Sequence, residues 1–359
     1  MKRFNHTTPF LFVTILFLLS CKKEITNSDL DEFYVYEGSS ENLYGEIYIS
    51  SVDGSFTQRI SNINELNLSD SEYAPSISKD GRFIAFSSFN SDIQIYDRLN
   101  QQIIASFKDM SFKRNYSFIS NNRVAYIGSN FPTNLYFINF DGSDSHPVTD
   151  FIDHYMPDVS DTAYIYLNGK IAWCENKSKV IVSAYWSITN KNYFILFDPN
   201  DERISELIPI PQNATDNLFI RNNKAVWSKS DSIFIFNLLT KTYQSFYCPG
   251  CINPTLSPDE NKIAYLKHEI DQMTPANPNY RYVTNLYTCN LNGYDKRNLT
   301  AEIPDNKKAK SEFYPFWMDN NHILYSANHI YSIKDNLNPE LNIVLENKKA
   351  YGAVLYYKP

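Results

Sequence analysis

The chain has 359 residues, of which 27 are tyrosine and 24 phenylalanine, and only 20% are charged. Aromatic and β-branched side chains suit the pleated surface of a strand, so this composition favours an all-β fold. The formal net charge is −7. A mildly acidic chain of this kind is not expected to bind nucleic acid, nor to bind an anionic membrane by charge.

The first residues have the pattern of an export signal. Lys2 and Arg3 precede an apolar run over residues 9–19, which is too short to span a bilayer comfortably. The run ends in the sequence LLSC, which resembles a bacterial lipobox and whose last residue is Cys21. The resemblance implies that residues 1–20 are removed and that Cys21 carries lipid. The alternative is a plain secretory signal followed by an incidental cysteine.

The polar stretch over residues 21–31 is predicted to be a tether between the lipid and one folded domain, residues 32–359. We therefore expect a protein of the bacterial cell envelope, most simply the outer membrane, held to the membrane only through the lipid on Cys21. Loss of residues 1–20 would leave 339 residues with a formal charge of −9. That length exceeds what one core usually fills, which indicates either two domains or one fold built by repetition.

A twelve-residue motif occurs twice and indicates repetition. Residues 75–86 read PSISKDGRFIAF, and residues 254–265 read PTLSPDENKIAY. The proline, the serine at the fourth position (Ser78 and Ser257), the aspartate and the Ile-Ala-aromatic triplet fall at identical spacing. Copying at a fixed spacing is the mark of an internal repeat.

Two kinds of short apolar segment recur along the chain and predict buried strands. The first kind has an alanine flanked by apolar or aromatic residues, at 84–86, 124–126, 171–173 and 263–265, with looser copies at 225–227 and 323–325. The second kind alternates apolar side chains and has seven copies, at 47–49, 93–96, 135–138, 193–197, 233–236, 286–289 and 330–333.

A third recurring element predicts a hairpin at the end of the unit. The pairs Asp53-Gly54, Asp141-Gly142 and Asn292-Gly293 are each followed, seven residues after the first member, by an apolar residue and then Ser or Thr. Asp-Gly and Asn-Gly readily adopt the positive φ angles that a tight hairpin turn requires. Over residues 85–324 the first kind of segment recurs about every 48 residues, which is the length of a β-propeller blade.

The repeat predicts a propeller of six or seven four-stranded blades, and the seven copies of the second segment favour seven. The seventh blade would join residues 33–61 to the C-terminal strand at 353–357, which closes the ring and removes free sheet edges. The repeat resembles that of TolB-like propellers over nearly all of residues 32–359, most closely at 73–107 and 251–300. This resemblance implies a six-bladed ring, so six blades remain the alternative.

No catalytic motif is found, and we expect neither a catalytic residue nor a cofactor. Ser78 and Asp80, with their copies Ser257 and Asp259, have the residue types of tight turns and are interpreted as turn residues rather than a carboxylate site. The sequence contains no Gly-x-Ser-x-Gly elbow and no Gly-rich phosphate loop. The histidines after the signal segment do not occupy equivalent places in successive repeats, so no metal site is predicted: His146, His154, His268, His322 and His329.

Cys248 and Cys251 form a Cys-x-x-Cys pair in a loop before a predicted strand. In an exported chain the pair is interpreted as a local disulfide or as two free thiols, and redox activity is a third hypothesis. Zinc would need two further ligands, and Cys174 and Cys289 lie in other strands without such spacing.

Function is sought where the repeat is interrupted. One insertion, residues 267–284, contains Tyr280, Arg281 and Tyr282, and a second, residues 301–313, carries mixed charge. Tyr185 and Trp186 form a third candidate. Tyr, Trp and Arg are enriched at binding hot spots, and loops on a rigid ring often carry recognition, although a variable solvated loop would have the same sequence.

The resemblance to TolB-like propellers implies a non-catalytic module that binds or scaffolds a protein partner in the envelope. The alternative function is a surface propeller that binds or cleaves glycans, because aromatic side chains at loop tips stack on sugar rings.

Overall fold

The computed structural model describes residues 26, 29–40, 43–61, 75–87, 93–107, 113–120, 122–128, 134–148, 165–174, 177–186, 190–211, 218–270, 282–309, 314–327, 329–345 and 349–357. These residues contain no α-helix, and a short 3₁₀ turn lies at Asp305–Lys307. Among them, no helix is long and apolar enough to cross a membrane.

The strands form seven antiparallel four-stranded sheets, which we number as blades 1–7. In blade 1 the strand order is β28 (Lys349–Tyr357), β1 (Glu32–Ser40), β2 (Leu43–Ser51) and β3 (Thr57–Arg59). Blade 2 consists of β4 (Ser76–Ile77), β5 (Phe83–Ser87), β6 (Ile93–Asp97) and β7 (Gln102–Phe107). Blade 3 consists of β8 (Lys113–Ser120), β9 (Arg123–Gly128), β10 (Asn134–Asn139) and β11 (His146–Pro147).

The remaining blades follow the same order. Blade 4 consists of β12 (Ile165–Cys174), β13 (Lys179–Trp186), β14 (Lys191–Asp198) and β15 (Arg203–Ile210). Blade 5 consists of β16 (Phe219–Arg221), β17 (Lys224–Lys229), β18 (Ser232–Asn237) and β19 (Thr242–Tyr247). Blade 6 consists of β20 (Cys251–Leu256), β21 (Lys262–Ile270), β22 (Tyr282–Asn290) and β23 (Arg297–Asn298). Blade 7 consists of β24 (Phe316–Trp317), β25 (His322–Ser326), β26 (Ile330–Lys334) and β27 (Leu341–Leu345).

Blade 1 closes the ring with strands from both ends of the described chain. The C-terminal strand β28 pairs antiparallel with β1, from Glu32 opposite Tyr357 to Ser39 opposite Lys349. The first strands of successive blades contact one another, from β28 to β4 and onward to β24, so these strands form the inner ring. The prediction of a seven-bladed propeller closed by its terminal strands is confirmed.

One apolar cluster lies between each pair of neighbouring blades, seven in all among the described residues. The second and third strands of a blade are buried on both faces because each face packs on a neighbour. In β5, for example, Ile84 and Phe86 pack toward blade 1, whereas Ala85 packs toward blade 3. The core is therefore distributed around the ring, and this is how repeated units of about 48 residues, each too small for a core of its own, build one domain.

An aromatic position on the second strand, which in four blades belongs to the first repeated segment, has a packing role. In five blades it faces an aromatic residue on the third strand, and four of those pairs are Tyr36–Tyr48, Tyr126–Tyr136, Tyr265–Tyr287 and Tyr325–Tyr331. The fifth pair, Trp227–Phe234, has ring centroids 5.3 Å apart and an interplanar angle of 14°. Cross-strand pairs of this kind stabilise a sheet.

The pattern is interrupted in blades 2 and 4. Phe86 lies opposite Gln94 in blade 2, and Ala184 lies opposite Tyr193 in blade 4. The segment at residues 171–173, predicted to belong with the other Ile-Ala-aromatic copies, lies instead on the inner strand β12. That assignment is wrong because blade 4 has no aromatic residue at the usual place on β13, and the inner strand happens to carry the same triplet.

The two ends of the blades differ in their connections. Because the four strands of a blade alternate in direction, the first-to-second and third-to-fourth connections meet at one end, which we call the turn face. The second-to-third connections and the links between blades meet at the other end, the crossover face. Connections on the turn face span two to six residues. Those on the crossover face span two to 17, and the longest are links between blades.

Candidate functional site

The repeated Ser and Asp residues lie in tight turns on the turn face. Ser78 Oγ donates a hydrogen bond to Asp80 Oδ1 at 2.7 Å and accepts one from the backbone N–H of Phe83 at 2.8 Å. Ser257 Oγ donates to Asp259 Oδ1 at 2.6 Å and accepts from the N–H of Lys262 at 3.0 Å. Each side chain satisfies backbone groups of its own turn, so this repeat supports the blade.

The apolar-Ser/Thr copies that follow each hairpin also hold the sheet together. The backbone N–H of Ile60 donates to the carbonyl of Ile47, and Ser61 Oγ accepts from the N–H of Ile47 at 3.1 Å. Thr300 Oγ1 accepts in the same way from the N–H of Leu286 at 2.9 Å. Their recurrence thus has a structural cause.

Ion pairs join neighbouring blades at the turn face. Lys224 Nζ lies 2.8 Å from Glu260 Oε2 across blades 5 and 6. Asp335 of blade 7 has a side chain only 1% exposed, and it accepts from Lys262 Nζ of blade 6 at 2.7 Å. Arg297 Nη1 also lies 3.3 Å from Asp335. These pairs hold neighbouring blades together.

His146 belongs to one of these links. Its Nε2 contacts Glu202 of blade 4, which also pairs with Arg123, and Asp144 lies beside the ring. The hydrogen bond to Glu202 raises the pKa of His146. His322 pairs with Asp319 in its own turn at 2.7 Å. Within the described ranges, no group of three or more His, Cys, Asp or Glu side chains could hold a metal ion.

Tyr185 and Trp186 end β13 at the crossover face and are both partly exposed. Tyr185 Oη donates to Asn190 Oδ1 at 2.9 Å. Trp186 lies on the opposite side of the strand, with its ring centroid 5.9 Å from that of Tyr193 at an angle of 53°. Period-two alternation therefore separates the two predicted residues, and the structure brings Trp186 together with Tyr193.

The other predicted recognition residues belong to the connection between β21 and β22, whose strand ends also lie at the crossover face. Tyr280 and Arg281 lie outside the described residues, as does Cys21. Tyr282 begins β22, where it pairs with Ile270.

Cys248 and Cys251 are joined by a disulfide in the link between blades 5 and 6. Gly250 between them has a φ of +72°, and a Cβ there would lie 2.8 Å from the carbonyl oxygen of His268. The same link is bonded to blade 6, because the N–H of His268 donates to the carbonyl of Gly250 at 2.9 Å. Burial raises the pKa of the Cys289 thiol to about 12, so that free cysteine is not a reactive thiolate.

Two buried polar residues near the crossover end escaped the sequence analysis. Glu37 of blade 1 is 2% exposed, and the alternation of β1 places it on the side of Phe33 and Val35, which faces blade 2. Burial raises the pKa of the Glu37 carboxyl to about 7. Gln94 of blade 2 is also buried and faces blade 1. In the sequence, Gln94 is the polar residue of the apolar run at 93–96, and in the structure it takes the place of the aromatic partner of Phe86.

No protein-family model matches the sequence, and no curated protein matches it. Among solved structures, the Dos1 propeller aligns over 93% of this chain and 94% of its own, with a TM-score of 0.52 and 12% identity. Hydrazine synthase of Kuenenia stuttgartiensis aligns over 76% and 80%, with a TM-score of 0.53 and 9% identity. Oligogalacturonate lyase of Vibrio parahaemolyticus aligns over 68% and 72%, with a TM-score of 0.49 and 10% identity. At such identities the likeness to the first two structures is one of fold alone.

Proposed function

We propose that this propeller is a non-catalytic module of the bacterial cell envelope that binds or scaffolds a protein partner through its crossover face. The observation that carries the proposal is the contrast between the two faces. Turn-face connections are short, and their polar groups bond one another within and between blades. Crossover-face connections reach 17 residues and depart from the repeat. Sequence variation on a rigid scaffold is where recognition is usually found.

The proposed contact region includes Trp186 and Tyr193 at the end of blade 4. Their rings lie on one side of the blade, are partly exposed, and are held by a buried cluster between blades 3 and 4. Rigid aromatic side chains lose little conformational entropy on binding, which makes them effective anchors at interfaces. The residues of the β21–β22 connection, including Tyr280 and Arg281, are proposed to extend this surface.

We further propose that the chain is a TolB-like lipoprotein with its first mature residue at Cys21. The support is the LLSC sequence after an apolar run and the closeness of residues 73–107 and 251–300 to that repeat. Lipid on Cys21 would confine the ring to a membrane surface and so raise its local concentration near membrane partners. In its native host, Cys21→Ser should move the protein from the membrane pellet to the soluble fraction, and unchanged pelleting would contradict lipid anchoring.

Glycan binding at the same face is the second candidate, and the Trp186–Tyr193 pair is the observation that favours it. Sugar rings stack on exposed aromatic side chains. Quenching or a shift of Trp fluorescence on addition of envelope oligosaccharides, lost in Trp186→Ala, would favour glycan over protein. If the added oligosaccharides were also cleaved and their fragments accumulated, the propeller would be an enzyme.

The protein-binding proposal is tested by chemical cross-linking and purification of the full chain from envelopes of its host. Trp186→Ala should lose the cross-linked partner, whereas Leu239→Ala, which changes an exposed side chain on the turn face, should retain it. Both variants must first show wild-type melting curves. Absence of any partner with the wild type, or equal retention by the two variants, would contradict the proposal.

A further inference from the structure

The outer strands of the blades differ in how their free edges are protected. An outer strand has unpaired backbone N–H and C=O groups on one edge, and natural proteins blunt such edges with short strands, bulges, charges or proline. Here β3, β11 and β23 are only two or three residues long. In blades 2, 4 and 7 a register shift interrupts the pairing of the outer strand, β7, β15 or β27.

β19 in blade 5 has none of these protections. It pairs with β18 in unbroken register over six residues, from Ser232 opposite Tyr247 to Asn237 opposite Thr242. Its sequence, TYQSFY, contains no charged residue and no proline. Tyr243 and Tyr247 are 58% and 69% exposed. Among the outer strands that the structure describes, β19 is therefore the one with a long, regular and uncharged edge.

The hydrogen-bond phase of β19 shows which residues face outward. The N–H of Cys248 donates to the carbonyl of Asp231, its opposite residue, so this pair is a hydrogen-bonded one. Hydrogen-bonded and non-hydrogen-bonded pairs alternate along an antiparallel ladder. Tyr243, Ser245 and Tyr247 consequently direct both backbone groups away from β18. Lys296 Nζ, 3.4 Å from the Tyr247 carbonyl oxygen, reaches that group from outside the ladder.

These three outward residues are complementary to themselves under a two-fold axis. If the axis passes through Ser245, Ser245 of one copy lies opposite Ser245 of the other, and Tyr243 lies opposite Tyr247. Three pairs with outward N–H and C=O groups would form about six backbone hydrogen bonds, and the four tyrosines would form two cross-strand pairs. No charges are opposed within the strand. The exposed Lys296 would give up only its long contact with Tyr247.

From this edge, going beyond the proposed recognition function, we infer that two copies of the chain associate by antiparallel pairing of β19 with β19. The interface is of the isologous kind that closes on itself as a dimer. It is narrow for a stable complex, so association should be weak in dilute solution and favoured where a lipid confines both copies to one surface. The axis through Ser245 makes that position a sensitive probe, because any charge placed there meets itself.

The test introduces a charge at Ser245 in the purified full chain in nonionic detergent. Molecular mass is measured by light scattering or sedimentation over a range of protein concentrations. The wild type should approach twice the protomer mass as concentration rises. Ser245→Lys and Ser245→Glu should each weaken association about tenfold, because like charges lie directly opposite. An equimolar mixture of the two variants should regain the dimer.

Two further variants separate edge pairing from other causes. Ser245→Pro removes an outward N–H that blade 5 does not use, so it should abolish association while the melting curve is retained. Ser106→Lys places the same charge on the bulged outer strand β7 and should leave association unchanged. A wild type that stays monomeric, single variants that associate like the wild type, or a mixture that stays monomeric would each overturn the inference.

Discussion

The turn face and the crossover face are built from the same strands, yet the buried carboxyl groups of Asp335 and Glu37 at these two ends have different surroundings. At the turn face the buried carboxylate of Asp335 is matched by Lys262, Arg297 and a hydrogen bond from Thr288. Near the crossover end, the described structure gives the buried carboxyl of Glu37 no hydrogen bond or ion pair. Other carboxylates near the crossover end are paired, Glu46 with Arg59 and Glu269 with Lys267. The contrast therefore concerns Glu37 itself, a buried acid that the stability of the ring does not require.

The largest expected effect is at Asp335. Asp335→Ala removes a carboxylate whose side chain is 1% exposed and which neutralises two cations. Because those cations are 30% and 39% exposed and can be partly rehydrated, we expect a loss of about 3 kcal/mol in the free energy of unfolding. Denaturant titration would measure it. Asp201→Ala, in the exposed third-to-fourth connection of blade 4, is the matched control and should cost under about 0.5 kcal/mol. Equal losses would contradict the structural role of the turn face.

Glu37 should make stability depend on pH. Its folded pKa of about 7 is raised above the ordinary 4.5, so the folded protein keeps this proton between those values while the unfolded chain has lost it. Stability from this group is complete below pH 4.5 and falls as pH rises to about 7. Glu37→Gln should match the wild type near pH 4 and exceed it by about 2 to 3 kcal/mol near pH 8. Parallel pH profiles of the two proteins would show that Glu37 has a partner.

The Cys248–Cys251 disulfide lies in the link between blades 5 and 6 at the crossover face. Its removal measures how much this link contributes to stability. The disulfide closes a loop with a sequence separation of three, and loop entropy for so short a ring gives about 2 kcal/mol. The double variant Cys248→Ser, Cys251→Ser should lose that amount under non-reducing conditions. Added reductant should then lower the melting temperature of the wild type but not of the variant. Thiol labelling of both cysteines in the native protein would contradict a structural bond.

The smallest of these effects is expected for one turn. Ser78→Ala removes the acceptor for the N–H of Phe83 and the donor to Asp80, and should cost about 1 kcal/mol. Ser106→Ala, on an exposed edge, should be nearly neutral. The difference between the two, read from chemical denaturation, measures what the repeated serine contributes to a blade.

Much of the fold could be predicted from the sequence because repetition makes local signals reinforce one another. The third strand of every blade carries its alternating apolar run, and the closure through β1 and β28 follows from counting seven such runs. The assignment of residues 171–173 was wrong because a single triplet does not distinguish an inner strand from a second strand. In that blade, the aromatic residue that would have settled the position is replaced by Ala184.

The candidate site could be predicted less well from the sequence, because it depends on packing between blades. The burial of Glu37 depends on a neighbouring blade that its own sequence does not specify. Similarly, TYQSFY reads as an ordinary half-buried strand, and its exposed edge becomes evident only when the other outer strands are compared. Tyr185 and Trp186 are predicted from residue type, but their opposite orientations follow only once both are placed on the single strand β13.

The most direct test of the central claim is photo-cross-linking in cells of the native host. A benzophenone amino acid is placed either at Tyr185 on the crossover face or at Leu239, an exposed residue on the turn face. If recognition occurs at the crossover face, light should join a discrete envelope partner to the probe at position 185 and none to the probe at position 239. Cross-links of equal yield at both positions, or at position 239 alone, would contradict it.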